Sequence, residues 1–445
     1  MVAGSFLGPN LLLGQNGGSA NERLGIAVIG ALGKGRGDTS SSADGNQIVG
    51  LCDCDSNRLQ EAVGAQEGAK GYTDFRKMLE ELDDQIDAVV VSTPDHSHYP
   101  AAMMAVQMGK HVAVQKPLCN TIWEVRELHK AAKAAGVVTQ MGNQGRTMEG
   151  QRLVKEWIDQ GVIGTLTEIK LWTNRPIWPQ GEEANYTPKE VPGHLDWDLW
   201  QAQVPHRDYS DGIHPFAWRG YWDYGSGALG DMGCHIMDAT FSILDQASPV
   251  KIEAESSPVT DLFAPSWSTL VYHFAGTDNY PDLKVHWQDG RRDGKPNKPE
   301  KPEMMADMSD EQWDRASSGM LFIGTEGVIF EGDAYCASPI VYPTAKFTEV
   351  RRAMAEGEIE RTEPRSPRPG DPHKEWTHCI KTGEKPSSEF DYSAPLTEFV
   401  LLGNLAIRSG ETIEWDAEAG RVSNVDSANE FISRPEYREG WHFKA

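Results

Sequence analysis

Length, composition and charge set the first limits on this chain. Its 445 residues are too many for a peptide-sized module, and with 39% hydrophobic and 24% charged residues we expect a folded protein of two domains. The net charge of −24 repels phosphate backbones and anionic lipids, so we expect neither nucleic acid nor a membrane as a partner. Six cysteines without a C-x-x-C pair do not indicate a disulfide framework or a structural zinc site.

The first 21 residues carry no charged side chain. An apolar stretch at 2–14, followed by a Gly/Asn-rich spacer, is typical of the end of an export signal, although no basic region precedes it. Residues 1–22 are therefore interpreted either as a signal remnant of a periplasmic or exported protein, or as a flexible tail of a cytoplasmic one. No stretch reaches the roughly 18 apolar residues that a membrane-spanning helix needs.

Residues 23–145 alternate short β-branched runs with amphipathic stretches. This pattern is typical of a parallel sheet covered by helices on both faces. We predict a doubly wound α/β domain with strands at 26–29, 47–52, 88–92, 111–115 and 137–141, and helices at 56–65, 75–82, 99–108 and 122–135.

The pattern changes in residues 146–445. An amphipathic stretch at 150–160 leads into a strand at 166–172, and the later strand-like runs follow without regular helices between them. We therefore predict a C-terminal α+β domain with a mostly antiparallel open sheet, which would bind substrate. Its later strands are predicted at 251–255, 268–274, 283–287, 321–324 and 328–330, and surface loops at 288–314 and 361–372.

A glycine cluster follows the first predicted strand. Glycines at this position let backbone N–H groups approach a pyrophosphate at a helix N-terminus, although Leu32 occupies the second glycine position of the G-x-G-x-x-G motif. Asp53 ends the second strand, where a carboxylate accepts hydrogen bonds from ribose hydroxyls and repels a 2′-phosphate. The sequence therefore predicts a Rossmann domain that binds NAD rather than NADP. The predicted cofactor contacts here are Gly30, Leu32, Gly33, Lys34, Gly35 and Asp53.

Two further segments, residues 92–98 and 114–118, stand at the ends of the next predicted strands. The carboxyl ends of parallel strands face the ligand crevice, so we expect these segments to flank the nicotinamide half of the cofactor. A lysine held before a proline at such a place can donate to a substrate oxygen, and burial can adapt its pKa for acid–base work. The predicted contacts are Thr93, Pro94, His96, His98, Gln115 and Lys116.

Asp231, His235 and Asp238 are spaced i, i+4 and i+7, which would place them on one face of a helix. A carboxylate one turn before an imidazole can orient it and stabilise its cation when the histidine takes a hydroxyl proton. Two other interpretations stay open: a helix cap with a buried histidine, and a metal site built on His235 with two carboxylates. We expect no metal, because hydride chemistry with NAD needs none.

The segment 172–224 holds six of the 14 tryptophans. Aromatic faces stack on the C–H faces of sugar rings, and neighbouring arginines and histidines donate to hydroxyls, so we expect carbohydrate to bind here while most of the aromatic residues fill the core. The predicted substrate contacts are Trp178, Arg175, Arg219, Tyr221 and His214.

Together, the strand-glycine start, the segment 93–98, Lys116-Pro117 and the segment 230–235 resemble the glucose-fructose oxidoreductase / inositol dehydrogenase / rhizopine catabolism (Gfo/Idh/MocA) family. The resemblance runs from residue 24 through the C-terminal domain. Within the family, the chain is similar to a secreted bacterial branch. It implies that Lys116, Asp231 and His235 form the catalytic set at a sugar-binding crevice, and that the protein is a homodimer or homotetramer. The family usually has Glu-Lys-Pro where this chain has Gln115.

These observations lead to one main hypothesis: an NAD-dependent oxidoreductase that transfers hydride from a ring CH–OH of a sugar or glycoside to NAD, with His235 as the base. One alternative is a redox-neutral NAD-dependent glycosidase or epimerase that acts through a transient keto-sugar. Another is a non-catalytic sugar-binding protein that keeps the fold.

Overall fold

The computed structural model describes residues 23–443 and begins with the predicted parallel sheet. Six parallel strands lie in the order β3-β2-β1-β4-β5-β6. The chain order reverses between β1 and β4, which opens a crevice at their carboxyl ends. The strands are β1 Gly25–Ile29, β2 Gln47–Cys52, β3 Lys70–Tyr72, β4 Ala88–Val91, β5 His111–Gln115 and β6 Thr139–Gly142, and the helices are α1 Lys34–Ser42, α2 Ser56–Gly64, α3 Phe75–Glu81, α4 His98–Gln107 and α5 Ile122–Ala135.

The second domain is the predicted mostly antiparallel sheet, here with ten strands. They run β14-β13-β12-β7-β10-β9-β8-β15-β16, with β11 paired to β10, and only the β7–β10 pair is parallel among the residues described. The strands are β7 Leu166–Thr173, β8 Lys251–Ser256, β9 Trp267–Phe274, β10 Leu283–Arg292, β11 Lys295–Pro296, β12 Gly319–Gly324, β13 Val328–Glu331, β14 Ile340–Tyr342, β15 Ile413–Asp416 and β16 Arg421–Val422.

Eight α-helices accompany this sheet within residues 146–443, and several were not predicted. Helix α13 is buried on nearly all sides, because α5, α8 and β8 pack against it, so its apolar residues do not follow the one-sided period of a surface helix. The predicted loop at 288–314 contains the end of β10, β11 and a short helix. The helices are α6 Glu149–Asp159, α7 Trp197–Gln201, α8 Gly227–Ile236, α9 Asp238–Ile243, α10 Asp310–Arg315, α11 Thr344–Glu356, α12 Pro372–Thr382 and α13 Phe390–Ser409.

The C-terminal part of the chain returns to the first domain. Helix α12 packs on α1 and β6, and its Trp376 is fully buried in the same apolar cluster as Ile26 and Val28 of β1. This packing attaches the C-terminal part of the chain to one face of the parallel sheet. Within residues 23–443, none of the helices has the length and hydropathy to cross a membrane. The predicted signal remnant at 1–22 lies outside the described residues.

Candidate active site

A cavity of about 800 Å³ opens where the carboxyl ends of β1, β2, β4 and β5 face helix α8. Both domains form its walls, which is the position that the strand order predicts for a ligand. The first domain contributes Gly30, Leu32, Gly33, Lys34, Asp53, Arg58, Thr93, Pro94, Asp95, Gln115 and Lys116, and the second contributes Arg175, Trp200, His214, Phe216, Trp218, Arg219, Asp231, His235, Asp333 and Tyr335.

The glycine turn fits a dinucleotide. Gly30 and Gly33 have φ of 85° and 70°, and no side chain caps the start of α1, so its first N–H groups can meet a pyrophosphate. Gly35 does not line the cavity, in contrast to the prediction. It is needed for the turn itself, because a Cβ there would lie 1.8 Å from the Gly30 carbonyl oxygen.

Asp53 is held at the end of β2, in the position that suits the ribose of the cofactor. Its Oδ1 accepts from the N–H of Asp55 at 3.1 Å, and its Oδ2 accepts from the N–H of Ala31 at 3.3 Å. Burial raises the pKa of Asp53 above its ordinary value. Arg58, a residue outside the predicted site, lies 3.5 Å from Oδ2 and also lines the cavity.

Thr93 and Pro94 line the cavity as predicted, but His96 and His98 do not. Both histidine side chains are fully buried beneath the segment and bind carbonyl oxygens: His96 Nε2 lies 2.8 Å from the Trp200 oxygen, and both nitrogens of His98 lie 2.9 Å from carbonyl oxygens. The two histidines therefore brace the backbone of the segment, and the predicted cofactor contacts are corrected for them.

Gln115 has a carboxylate partner in place of the family's usual glutamate. Its Nε2 donates to Oδ2 of Asp38 in α1 at 2.9 Å, and the hydroxyl of Ser92 donates to the same oxygen at 2.7 Å. Lys34 at the start of α1 also pairs with Asp38. A buried negative charge thus remains next to Gln115, but it is supplied by α1 and not by β5.

Lys116, Asp231 and Arg219 form one charged cluster in the wall of the cavity. Lys116 Nζ donates to Oδ1 of Asp231 at 3.0 Å and to its carbonyl oxygen at 2.6 Å, while Arg219 Nε lies 3.3 Å from Oδ1. Burial opposes ionisation of Asp231, but these two cations lower its pKa below the ordinary value. Asp231 therefore carries a fixed negative charge that holds Lys116 and Arg219 at the cavity.

His235 lines the cavity and is 4% exposed. Its Nδ1 lies 2.8 Å from Oδ1 of Asn143, the residue that directly follows β6, so Asn143 is the hydrogen-bond partner at the position where we expected Asp231. Burial and the charge of Lys116 lower the pKa of His235 to about 3, which keeps the imidazole neutral. The ring of Tyr335 packs edge-on against it, with centroids 4.9 Å apart.

Asp238 does not share the face of His235, because α8 ends at Ile236 and a new helix begins at Asp238. Its carboxylate is fully buried and accepts from Tyr392 and Asn143, away from the cavity. Among residues 23–443, no group of three or more histidine, cysteine or acidic side chains is placed to hold a metal ion.

Asp95 is a further carboxyl group in the cavity that the predicted site did not include. Its Oδ2 accepts from the hydroxyl of Ser226 at 2.6 Å, and burial raises its pKa to about 6. Its place in the predicted segment at 93–98 could have identified it. No sequence signal could have identified Asp333 or Tyr335, which come from the loop between β13 and β14.

Three of the five predicted substrate residues line the cavity: Arg175, Arg219 and His214. Trp178 and Tyr221 do not line it. Trp178 is 5% exposed and donates to Gln180, and Tyr221 is 3% exposed and packs on Phe263 with ring centroids 4.6 Å apart. These two aromatic residues fill the core because their large apolar rings gain most from burial.

Residues 174–226, which we name the covering segment, form one side of the cavity. Two backbone hydrogen bonds of 2.8 and 2.9 Å join residues 194–196 of this segment to the turn at 54–56 between β2 and α2. His214 Nε2 also lies 3.1 Å from Oδ2 of Asp55 in that turn. The covering segment is thus attached to the first domain beside Asp53, at the ribose end of the cofactor site.

Comparisons with known proteins agree with this arrangement. Residues 24–143 match the model "Oxidoreductase family, NAD-binding Rossmann fold" of the Gfo/Idh/MocA family, and residues 148–279 match its "C-terminal alpha/beta domain". Among solved structures, levoglucosan dehydrogenase in complex with NADH and levoglucosan aligns with a TM-score of 0.59 at 17% identity, covering 88% of this chain and 99% of that one. At this identity the likeness shows the fold alone.

Curated relatives match over shorter stretches. Levoglucosan dehydrogenase of Pseudarthrobacter phenanthrenivorans is 27% identical over 40% of this chain and 37% of its own length, and 1,5-anhydro-D-fructose reductase of Ensifer adhaerens is 29% identical over 37% and 44%. D-apiose dehydrogenase of Paraburkholderia graminis is 34% identical over 27% and 32%. This chain thus aligns with less than half of the length of each of these relatives. Because both domain models match in order along one chain, the protein belongs to the Gfo/Idh/MocA family of oxidoreductases, and its cofactor is NAD.

Proposed function

We propose that this protein is an NAD-dependent dehydrogenase of a sugar or glycoside and that it oxidises a ring CH–OH to a carbonyl. The observation that carries the proposal is the placement of a neutral His235 and of Lys116, paired with Asp231, on the same cavity as the NAD-binding turn. When bound, NAD accepts the hydride that leaves the carbon. The three named relatives act on sugars or sugar-derived compounds by their names, which supports this substrate class.

His235, Lys116 and Asp231 have different roles toward the hydroxyl groups of the substrate. His235 accepts the hydroxyl proton at Nε2, because its Nδ1 is occupied by Asn143. Lys116 uses two of its three N–H donors on Asp231, so one remains to hydrogen-bond the substrate oxygen and stabilise its developing negative charge. Asp231 offers its Oδ2, to which no described residue donates, to a neighbouring hydroxyl.

The test is to mix purified protein with NAD⁺ and a panel of free sugars and glycosides, and to follow the near-ultraviolet absorbance of reduced nicotinamide. We expect steady formation of NADH with at least one member of the panel. Substrate consumption without NADH would refute net oxidation. If no substrate is consumed although NAD binds, the non-catalytic sugar-binding alternative would replace this proposal.

A redox-neutral glycosidase or epimerase is the second candidate, and the covering segment favours it. This segment is hydrogen-bonded to the turn at 54–56 beside Asp53, and its Arg175, Trp200 and His214 line the cavity. A cofactor held in this way would exchange slowly, which suits a reaction that returns the hydride to the substrate. We would then expect NAD in the denatured, freshly purified protein, and glycosides consumed without net NADH.

We also propose self-association into a homodimer or homotetramer through the outer face of the ten-stranded sheet. Every second residue of β9, including Trp267 and Val271, is only half-buried in the single chain. A solution mass near the 49.2 kDa of one chain, measured by light scattering, would refute this assembly. Export to the periplasm remains a further proposal, and cell fractionation tests it.

A further inference from the structure

Asn143 contacts His235 but does not belong to the predicted catalytic set. Asn143 is fully buried and directly follows β6, so its side chain lies under the cavity, behind the ring of His235. Its amide makes three short contacts. Oδ1 lies 2.8 Å from His235 Nδ1, and Nδ2 donates at 2.8 Å both to the carbonyl oxygen of Cys234 and to Oδ2 of Asp238.

These contacts determine which way the amide points. The carbonyl oxygen of Cys234 can only accept, so the NH₂ group must face it whatever the protonation of Asp238. Turning the amide over would place its oxygen against this carbonyl oxygen in a buried site and leave both without a donor. Oδ1 therefore faces the imidazole as an acceptor, and Nδ1 of His235 must carry the hydrogen.

The carboxylate of Asp238 is itself held from the other side. Tyr392 donates its hydroxyl to Oδ1, and Arg146 lies 4.0 Å from the same oxygen while stacking over the Tyr392 ring. Burial raises the pKa of Asp238 above its ordinary value, although Arg146 and the hydrogen bonds from Tyr392 and Asn143 act to lower it. The Tyr392 hydroxyl holds Oδ1, and this leaves Oδ2 turned toward Nδ2 of Asn143. The chain of contacts runs from Tyr392 through Asp238 and Asn143 to His235.

The other carboxylate near His235 is committed elsewhere. Asp231 lies one turn before it in α8, but Lys116 and Arg219 occupy its Oδ1. Its pairing with two cations makes it part of the oxygen-binding side of the cavity. The Nδ1 atom of the imidazole is contacted by Asn143 instead.

We infer that Asn143, held by Asp238 and Tyr392, is the positioning residue that fixes His235 as the Nδ1–H tautomer, with the Nε2 lone pair free for the hydroxyl proton. This inference rests on the proposed function of His235 as base. In the reaction the O–H bond of the substrate breaks, its proton goes to Nε2, and the resulting imidazolium keeps its Nδ1–H bond to Asn143. A neutral amide allows this without a second proton transfer, whereas a carboxylate there would raise the pKa of the imidazole.

The test compares Asn143→Ala with Asn297→Ala. Asn297 is the matched control, because it is also buried and also donates to two carbonyl oxygens, but it directly follows β11 and does not line the cavity. For Asn143→Ala we expect kcat to fall to no more than about a third of its unaltered value, because part of the protein then holds the tautomer that cannot accept the proton, with KM changed by less than about threefold. For Asn297→Ala we expect a lower melting temperature and little change in kcat.

A second readout does not depend on activity. In protein labelled with ¹⁵N-histidine, the nitrogen chemical shifts of His235, assigned by comparison with His235→Gln, report which nitrogen carries the hydrogen. We expect the Nδ1–H form in the unaltered protein and in Asn297→Ala, and a mixture in Asn143→Ala. An Nε2–H form in the unaltered protein would overturn the inference, even if Asn143→Ala failed to fold.

The kinetic outcome separates this inference from the function beneath it. If His235→Ala is inactive while Asn143→Ala keeps more than about a third of the turnover, the base assignment stands and the positioning role of Asn143 is wrong. If His235→Ala itself retains normal turnover, the proposed role of His235 fails, and the role of Asn143 fails with it.

Discussion

The two walls of the cavity are built in different ways. On the first-domain wall, Gly30, Asp53, Thr93 and Lys116 each stand directly after, or one residue beyond, the end of a strand of the same parallel sheet. On the second-domain wall, the residues come from a helix, an irregular segment and a loop that are distant in sequence, such as His235 and Tyr335. A parallel sheet thus brings functional residues together at the carboxyl ends of its strands, whereas the second-domain wall depends on how separate elements pack.

The walls also differ in their charges. The first-domain carboxyl groups of Asp53 and Asp95 are buried with raised pKa values, whereas the second-domain Asp231 has a lowered pKa because two cations face it. His235 on the second wall is neutral. We therefore expect changes at His235 on the second wall to affect the chemical step, and changes at Asp53 and Asp95 on the first wall to affect cofactor choice and stability.

The largest expected effect is on the second wall. Replacing His235 by Ala removes the proton acceptor, and we expect turnover to fall roughly 10²- to 10⁴-fold while NAD still binds. Steady-state kinetics together with a titration of NAD binding measure the two effects separately. Near-normal turnover in this variant would contradict the assignment of His235.

The next effect concerns the pH dependence of stability on the first wall. The pKa of Asp95 is raised from 3.8 to about 6, so between these values the folded protein keeps a proton that the unfolded chain has lost. Stability from this group is therefore highest below pH 4 and falls as the pH rises toward 6, by about 3 kcal/mol in all. Asp95→Asn should be more stable than the unaltered protein at pH 8, but not at pH 4.

Denaturant unfolding of both proteins at the two pH values checks this expectation. An equal difference in the free energy of unfolding at pH 4 and pH 8 would show that Asp95 does not titrate in this range.

A smaller effect is expected on cofactor choice. Asp53→Ser removes the carboxylate that repels a 2′-phosphate and frees Arg58, which lies 3.5 Å from it, to bind that phosphate. We expect the ratio of kcat/KM for NAD over NADP to fall by at least about tenfold, since a hydrogen bond to a charged group contributes about 1.5–3 kcal/mol. Asp53→Ser combined with Arg58→Ala should lose the gain for NADP. An unchanged ratio in Asp53→Ser would remove the argument.

The smallest effect on stability is expected at Trp178, one of the predicted substrate contacts. Trp178→Phe removes a hydrogen bond to Gln180 inside the covering segment, so we expect about 1 kcal/mol less stability. KM for the sugar should stay within about twofold, because Trp178 does not line the cavity. A much larger KM would mean that the covering segment opens and brings this ring to the substrate.

The sequence could predict the first wall well because its signals are local. A β-branched run followed by glycines, or by a lysine and a proline, identifies both the strand and its end, so Gly30, Asp53 and Lys116 could be assigned together. His96 and His98 were misassigned because sequence does not show on which side of a segment a side chain points. The same reason explains Trp178 and Tyr221, since aromatic residues suit a sugar site and a core equally well.

By itself, the sequence determined the two-domain class, the NAD-binding turn and the position of Lys116 at the end of a strand, and the resemblance to the family implied its grouping with Asp231 and His235. Only the tertiary structure decided that Asn143 is the partner of the imidazole, that Asp38 supplies the charge beside Gln115, and that Tyr335 reaches the cavity. The physical reason is range. Strand periodicity and turn chemistry are properties of neighbouring residues, whereas a buried hydrogen bond between distant segments exists only once both domains are packed.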